Sequence, residues 1–349
     1  MLYETLRKVA AAACCALCLS ATAQAASDTP SIWTHIVAGM QLDQRETPET
    51  VARARAYARR ADLVEAMLAR SEPFLWHIVE ATERRRMPLE LALLPAVESG
   101  FDPHARSQRQ AAGLWQFVPA TSAIFGLQTT RDYDARRDPV ASTRAALGHL
   151  SDMYEYFGDW WLAVAAYNVG LGNLSNILKA QHGVTSIWAL KLPKETHDHV
   201  RRLAAISLLI EQPQRFGITL PAIADAPATA IVPLRSAIDL SAAAEAAGVS
   251  DSLIRQLNPG LGDLRNTTGK KGVMLPTAEA ERLLATLKSR RFTPSARPQV
   301  VVHVIQPGDS LWQIASHYRV SIDDLRRWND LAESSVLRPG RRLSVQTSL

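Results

Sequence analysis

Apolar positions along this chain follow two different periods. From 48 to 85 they recur at helical spacing, in Leu63, Ala66 and Met67 and again in Leu75, Ile78 and Val79. That pattern predicts amphipathic helices with Arg53, Arg55, Arg59 and Arg60 on a solvated face. From Met87 to about Phe216, helical segments alternate with turn residues. Pro88 opens one, Gly100 and Pro103 close it, and Asp138-Pro139 opens another in the cap-then-proline order of a helix N-terminus. Trp160 to Asn168 reads as a compact apolar helix ended by Gly170 and Gly172. Near the C-terminus the pattern becomes strand, helix, helix, strand: β-branched Val300 to Val304, Leu311 to Tyr318, Ser321 to Asn329, then Leu343 to Val345.

Leu220 to Pro233 and residues 292–299 are rich in Ala and Pro and read as linkers. The segments that follow them repeat each other at an offset of 71 residues. Leu240 falls on Leu311, Ala244 on Ala315, Val249 on Val320, Ser250 on Ser321 and Asn258 on Asn329. The expected fold class is α+β: a mostly α domain followed by small βααβ modules.

Arg7 and Lys8 precede an apolar run from Val9 to Leu19, and Ala23-Gln24-Ala25 follows, which reads as a secretory signal. No run is long enough to span a bilayer. Cys14, Cys15 and Cys18 all lie in that signal, so no disulfide or cysteine metal site is expected beyond it. Neither Cys14 nor Cys18 follows the Leu-small-small triplet that a lipid anchor needs. Export to the periplasm or cell envelope is therefore expected, with no evident membrane association. The expected partition is a signal at 1–25, an N-terminal helical region at 26–85, a catalytic domain at 86–219, a degenerate module at 234–290 and a second module at 299–347.

The chain has 349 residues, 47% of them hydrophobic, enough for two or three domains with real cores. Its net charge of +5 is spread over many Arg residues and suits any anionic polymer. Charge alone does not separate nucleic acid from a cell wall carrying peptide carboxylates. His197 and His199 lie two apart on one helix and point to different faces, so no metal site is expected there.

The candidate for chemistry is Glu98, at the end of the apolar run Leu91 to Val97 and beside a Gly100/Asp102/Pro103 turn. Burial raises a carboxyl pKa because the anion loses its water, and a Glu that keeps its proton near neutrality can act as a general acid. On this segment alone a helix cap or an Arg partner explains Glu98 equally well. Two further segments shift the balance. Gly113-Leu114-Trp115-Gln116-Phe117 sets an amide between aromatics, and Ala166-Tyr167-Asn168 sets a phenol and an amide at a helix end. Ring faces and directed hydrogen bonds are what sugar recognition uses.

In this order and spacing, Glu98-Ser99, Gly113-Leu114-Trp115-Gln116-Phe117 and Ala166-Tyr167-Asn168 resemble the transglycosylase domain of soluble lytic transglycosylases, relatives of goose lysozyme. With Arg136-Arg137-Asp138 and the trailing repeats, the likeness is strongest to the membrane-bound murein transglycosylase D group. The resemblance covers about residues 70–215. It implies a lysozyme-like fold and a peptidoglycan lytic transglycosylase that leaves 1,6-anhydro-N-acetylmuramic acid ends. Glu98 would be the sole acid/base, Ser99 would orient the acid or an N-acetyl group, and Gln116, Tyr167 and Asn168 would hold the muramic acid unit. Ordinary glycosidases use two carboxylates. Asp102, the acid nearest in sequence, reads as a turn residue.

Gly308-Asp309-Ser310-Leu311, Ile314-Ala315, Asn329 and Leu337-Arg338-Pro339-Gly340 resemble a LysM module. That resemblance implies binding of N-acetylglucosamine-containing glycan through Gly308, Asp309, Ser310 and Leu311 with Leu331. The upstream copy has Ala237-Ile238 in place of Gly308-Asp309 and reads as degenerate. The expected partner is peptidoglycan, not nucleic acid. No cofactor or metal is expected, and the chain is expected to be a monomer. A hydrolytic muramidase of the same fold and a non-catalytic wall-binding protein are the alternatives.

Overall fold

The computed structural model describes residues 30–347 apart from 44, 131, 185, 235–239, 262–271, 290–298, 319, 321 and 333–336. The signal segment and the Ala237-Ile238 comparison therefore lie outside the described residues. The chain forms two compact units, one reaching Thr286 and one starting at Leu287.

The first unit opens with α1 (Ile32–Ala38), α2 (Pro48–Ala58), α3 (Ala61–Ala69) and α4 (Glu72–Glu83). A 3₁₀ turn at Leu89–Leu93 runs into α5 (Leu94–Glu98), followed by α6 (Pro119–Ile124), α7 (Pro139–Phe157), α8 (Trp160–Val169), α9 (Leu171–Ala180), α10 (Lys194–Glu211) and α11 (Pro213–Phe216). Asp138 caps α7 as its sequence implied, its carboxylate accepting from the N–H groups of Val140 and Ala141 at 2.9 Å each. α8 packs against both α7 and α10. Its residues Ala163 to Ala166 are wholly buried, as expected of a helix apolar all round.

The helices before residue 85 do not stand apart. Ile32, Trp33, Leu68, Leu75 and Ile78 share one core with Leu91, Leu147, Val164 and Leu208. On α3 the inward face runs through Val64 and Leu68, one position on from the expected Leu63 and Met67; Leu63 is exposed. Of the arginines on α2, Arg53 is not free but pairs with Asp198 on α10.

Downstream, β1 (Thr229–Pro233), α12 (Leu240–Ala247), α13 (Asp251–Leu257) and β2 (Gly272–Pro276) form a strand-helix-helix-strand module, followed by α14 (Thr277–Lys288). β1 and β2 pair antiparallel, Thr229 opposite Pro276. Two expectations need correction. The stretch Leu220 to Pro233 is not all linker, and the module starts at Thr229 rather than 234. Val232 is fully buried in the strand, but the neighbouring Ala and Pro read as linker residues and hid it. This module also packs onto the helical core. Leu257 and Met274 join the main core, the Asp134 N–H donates to the Gly260 carbonyl at 2.8 Å, and the Thr229 hydroxyl donates to the Pro73 carbonyl at 2.6 Å.

The second unit has β3 (Gln299–Val304), α15 (Leu311–Tyr318), α16 (Ile322–Trp328) and β4 (Arg342–Thr347), with β3 and β4 antiparallel. Of the second expected linker, only Gln299 is described, as the start of β3. A small core of Ile305, Ile314, Ala315, Leu325, Leu331, Leu343 and Val345 holds it. The repeat in sequence is a repeat in structure, and one side chain shows it best. Asn258 donates to Ile254 and Met274 carbonyls and accepts from Met274 N–H; Asn329 does the same with Leu325 and Ser344. The amide lies 16 residues from its strand partner in the first copy and 15 in the second, so the upstream loop is longer by one. The described residues thus form helices and two separate two-stranded sheets, an α+β chain.

One buried ion pair anchors the segment that leads to Glu98. Glu90 is fully buried. Its carboxylate takes hydrogen bonds from Gln41 N–H at 3.0 Å, Leu42 N–H at 2.8 Å and Arg45 Nη1 at 2.6 Å, while Arg45 Nη2 reaches Glu211 on α10 at 3.0 Å. Removing one partner of such a network strands the others away from water. Glu90→Ala is expected to destabilise the protein by about 3 kcal/mol, read as a fall in the midpoint of chemical denaturation; an unchanged midpoint would remove this pair from the account.

Candidate active site

The apolar 3₁₀ turn and α5 drive Glu98 into the protein from one side. Residues 89–97 are all buried, so the helix that carries Glu98 is a core element, not a surface one. The chain then turns sharply. Ser99 N–H and Phe101 N–H both donate to the Pro95 carbonyl, at 3.0 and 3.1 Å. Gly100 takes φ +61, and its carbonyl is gripped by Arg70 Nε and Nη2 at 3.1 and 3.0 Å. Phe101, fully buried, seats the far side of the turn. Asp102 behaves as a turn residue, accepting from His104 N–H at 2.8 Å, and does not line the cleft.

The second wall is the Gly113–Phe117 turn. Gly113 has φ +80, and a Cβ there would lie 2.1 Å from the Arg136 carbonyl oxygen, so the position demands glycine on both counts. Trp115 is fully buried and its Nε1 donates to Thr143 Oγ1 at 2.9 Å. Gln116 sits at φ +49, a left-handed conformation that turns its amide inward. Its Nε2 donates to the Gly113 carbonyl at 2.8 Å and the Ala105 carbonyl at 3.3 Å, and among the described residues Oε1 has no donor.

The third wall comes from α8. Tyr167 donates its hydroxyl proton to the Trp115 carbonyl at 2.8 Å and packs edge-on against Phe117. Asn168 Oδ1 accepts from Thr196 Oγ1 at 2.8 Å; among the described residues no acceptor takes its Nδ2. These walls enclose a cleft of about 950 Å³ lined by Glu98, Gln116, Phe117, Tyr167, Asn168 and His199, among others. Four of the five residues expected at the catalytic site thus meet. Ser99 does not line the cleft: its hydroxyl donates to the Leu114 carbonyl at 2.9 Å and the Pro95 carbonyl at 3.2 Å, tying the end of α5 to the Gly113 turn.

The Glu98 side chain is only 14% exposed. Its pKa rises to about 8, chiefly because burial strips water from the anion; positive Arg202 opposes the shift and negative Glu195 adds to it. Tyr167 is pushed well above its ordinary value, by burial first and the nearby Glu98 charge second. Glu98 therefore holds its proton at neutral pH. Sequence reasoning missed several cleft residues on α7 and α10. His199 Nε2 lies 3.6 Å from Glu98 Oε1, and Asp152 and Glu195 line the same cleft. None is near residue 98 in the chain, and only the packing of α7 and α10 reveals them. Glu195 also meets Arg109 at 3.7 Å, an exposed pair at the cleft. Among the described residues no group of three or more His, Cys, Asp or Glu is placed to hold a metal ion.

In the second unit the expected glycan residues have structural duties. Asp309 accepts from Gln306 N–H at 2.7 Å and from His303 Nε2 at 2.8 Å. Ser310 caps α15 through Gln313 N–H at 3.2 Å, Leu331 is buried, and Leu311 packs on the same core. Gly308, at φ +94, is exposed. The side chain beside them that faces solvent is one the sequence did not single out: Trp312, 67% exposed.

Residues 77–187 match the family described as "Transglycosylase SLT domain", and residues 303–346 match "LysM domain". Membrane-bound lytic murein transglycosylase D of Escherichia coli K12 is 36% identical over 327 residues, which cover 90% of this chain and 72% of that protein. Membrane-bound lytic murein transglycosylase F of Maricaulis maris is 35% identical over 98 residues, 25% of this chain and 20% of that protein. The structure of the 70 kDa soluble lytic transglycosylase of Escherichia coli gives a TM-score of 0.31 at 20% identity, covering 47% of this chain and 29% of that one.

A stability consequence follows from the raised pKa. Between about pH 4.5 and 8 the folded protein keeps a proton on Glu98 that the unfolded chain has lost, so this group's contribution falls as pH rises through that window. Glu98→Gln removes the penalty. Its melting temperature should exceed wild type at about pH 9, with the difference closing toward the acid end of the window. Equal melting curves at both ends would mean that the carboxyl is not buried.

Proposed function

The chain belongs to the family of membrane-bound lytic murein transglycosylase D, and we propose that within this lytic murein transglycosylase Glu98 performs the acid and base steps alone. The carrying observation is a carboxyl that keeps its proton at neutrality and faces a cleft in which the Gln116 amide and the Tyr167 phenol are fixed by hydrogen bonds to the backbone and the Asn168 amide by the Thr196 hydroxyl.

The protonated Glu98 gives its proton to the glycosidic oxygen between N-acetylmuramic acid and N-acetylglucosamine. The C1–O bond breaks and its electron pair stays with the leaving oxygen. The substrate's own N-acetyl group stabilises the oxocarbenium-like centre. Glu98, now a carboxylate, takes the proton of the muramic acid 6-hydroxyl as that oxygen closes on C1 into a 1,6-anhydro ring. No water is consumed. Gln116 Oε1 and Asn168 Nδ2 supply an acceptor and a donor for the sugar amide, and the Tyr167 and Phe117 rings supply faces for its apolar side. Ser99 acts one step back, by holding the end of α5 against the Gly113 turn.

Glu195 and Asp152 give the hydrolytic alternative its only support, since a second carboxylate can activate water. The products decide. Digests of purified sacculi should contain anhydro-ended muropeptides, one water lighter than reducing ends, and Glu98→Gln should lower turnover by at least about a thousandfold while sacculi still bind. Reducing ends alone would establish hydrolysis, and an active Glu98→Gln enzyme would remove Glu98 from the chemistry. The rate should fall as pH rises through about 8, where the acid form is lost.

The C-terminal unit is read as holding the enzyme on the glycan. With Asp309, Ser310 and Leu331 committed to the turn, the cap and the core, Trp312 offers the exposed ring face for a sugar, beside Gly308 and Leu311. Trp312→Ala in the full chain should weaken co-sedimentation with sacculi by about tenfold; undiminished binding would place the glycan elsewhere. Export to the cell envelope is supported by the Arg7 to Ala25 segment. No helix among the described residues is long and apolar enough to cross a membrane.

A further inference from the structure

His199 occupies α10, which packs against α5, and its side chain is 4% exposed. Nε2 is shielded from solvent, has no hydrogen-bond partner, and lies 3.6 Å from Glu98 Oε1. That separation is slightly beyond a hydrogen bond and too short for a water between the two atoms. Buried polar atoms without partners are few in folded proteins, and each one calls for a cause. Here the unsatisfied nitrogen is aimed at the group that changes charge during the reaction.

Burial, helped by the positive charge of Arg202, drives the His199 pKa down to about 3, so the imidazole is neutral wherever the protein is folded and active. A neutral donor next to Glu98 has a particular value. A permanent cation at that distance would stabilise the carboxylate before substrate arrives and would strip Glu98 of its proton. A neutral N–H bonds weakly to the protonated acid and strongly to the anion.

We propose that His199 is a positioning residue whose Nε2–H closes onto Glu98 Oε1 once Glu98 has given up its proton, holding the carboxylate for the second, base-catalysed step. This rests on the assignment of Glu98 as the acid. His199 transfers no proton itself; a shift of a few tenths of an ångström makes the bond. The other titratable or charged groups around the pair are Arg202 and Glu195 on α10, Asp152 and His149 on α7, Tyr167 on α8 and Arg109 on the loop before Gly113. Among the described residues none of these makes a hydrogen bond or ion pair with the Glu98 carboxyl; Tyr167 donates to the Trp115 carbonyl and Arg109 meets Glu195.

The test compares His199→Leu, which keeps bulk and loses the donor, with His199→Gln, which returns an N–H at similar reach. The readouts are the pH profile of kcat/KM on purified glycan strands, kcat itself and thermal melting. His199→Leu should lose about ten- to a hundredfold in kcat, and its alkaline limb should move up by about one pH unit, because the anion has lost a donor. His199→Gln should recover most of the rate and return the limb toward wild type. A lower kcat with an unmoved limb in the Leu variant, or a Gln variant no better than Leu, overturns the proposal. Should the Leu variant fail to fold, nitrogen NMR of the wild-type imidazole decides instead: a neutral ring with its proton on Nε2 across about pH 5–9 is expected, and a proton on Nδ1 alone refutes it. Activity surviving Glu98→Gln would sink the acid assignment itself, a distinct outcome.

Discussion

Desolvation of the Glu98 carboxyl is the constraint around which this catalytic unit is arranged. A glutamate in water is ionised at neutral pH and cannot protonate a leaving oxygen. Here the helix that carries it is buried along its length, so the anion loses most of its water and the acid form persists to about pH 8. The unit stabilises that arrangement from several sides. Arg70 holds the turn after α5, Ser99 ties it to the Gly113 turn, and the Glu90–Arg45–Glu211 network pins the chain entering it to the end of α10.

The same constraint explains the character of the cleft's neighbours. Arg202, the cation that opposes the shift, makes no ion pair with the carboxyl among the described residues, and His199, 3.6 Å from it, is held neutral by its own burial. Tyr167 and Gln116 are fixed by hydrogen bonds to main-chain carbonyls, so their donors are spent on the backbone and Gln116 keeps Oε1 for the substrate. Preorganised polar groups of this kind cost no rearrangement when substrate arrives.

Much of this was legible in the sequence because it depends on local signals. The apolar run before Glu98, the glycine at 113 and the amide-bearing turn endings each announce their own geometry. The offset of 71 residues foretold two copies of one module, and the Asn258 and Asn329 hydrogen bonds reproduce it side chain by side chain. What stayed hidden depends on packing between distant segments. His199 reads as one histidine of a pair on a helix, and nothing local tells that α10 brings it within 3.6 Å of Glu98. Ser99 resembles a site residue but turns its hydroxyl to the backbone. β1 was obscured because Val232 is flanked by residues that favour linkers, and its strand exists through pairing with the distant β2, Val232 opposite Val273.

The account stands most directly on the protonation state of a single side chain. Carbon NMR of the Glu98 carboxyl, titrated in the folded protein with Glu98→Gln as the reference spectrum, measures it without reference to any substrate. The predicted result is a transition near pH 8. A transition at the ordinary glutamate value of about 4.3 would contradict the account, because the carboxyl would then be an anion at neutrality with no proton to give.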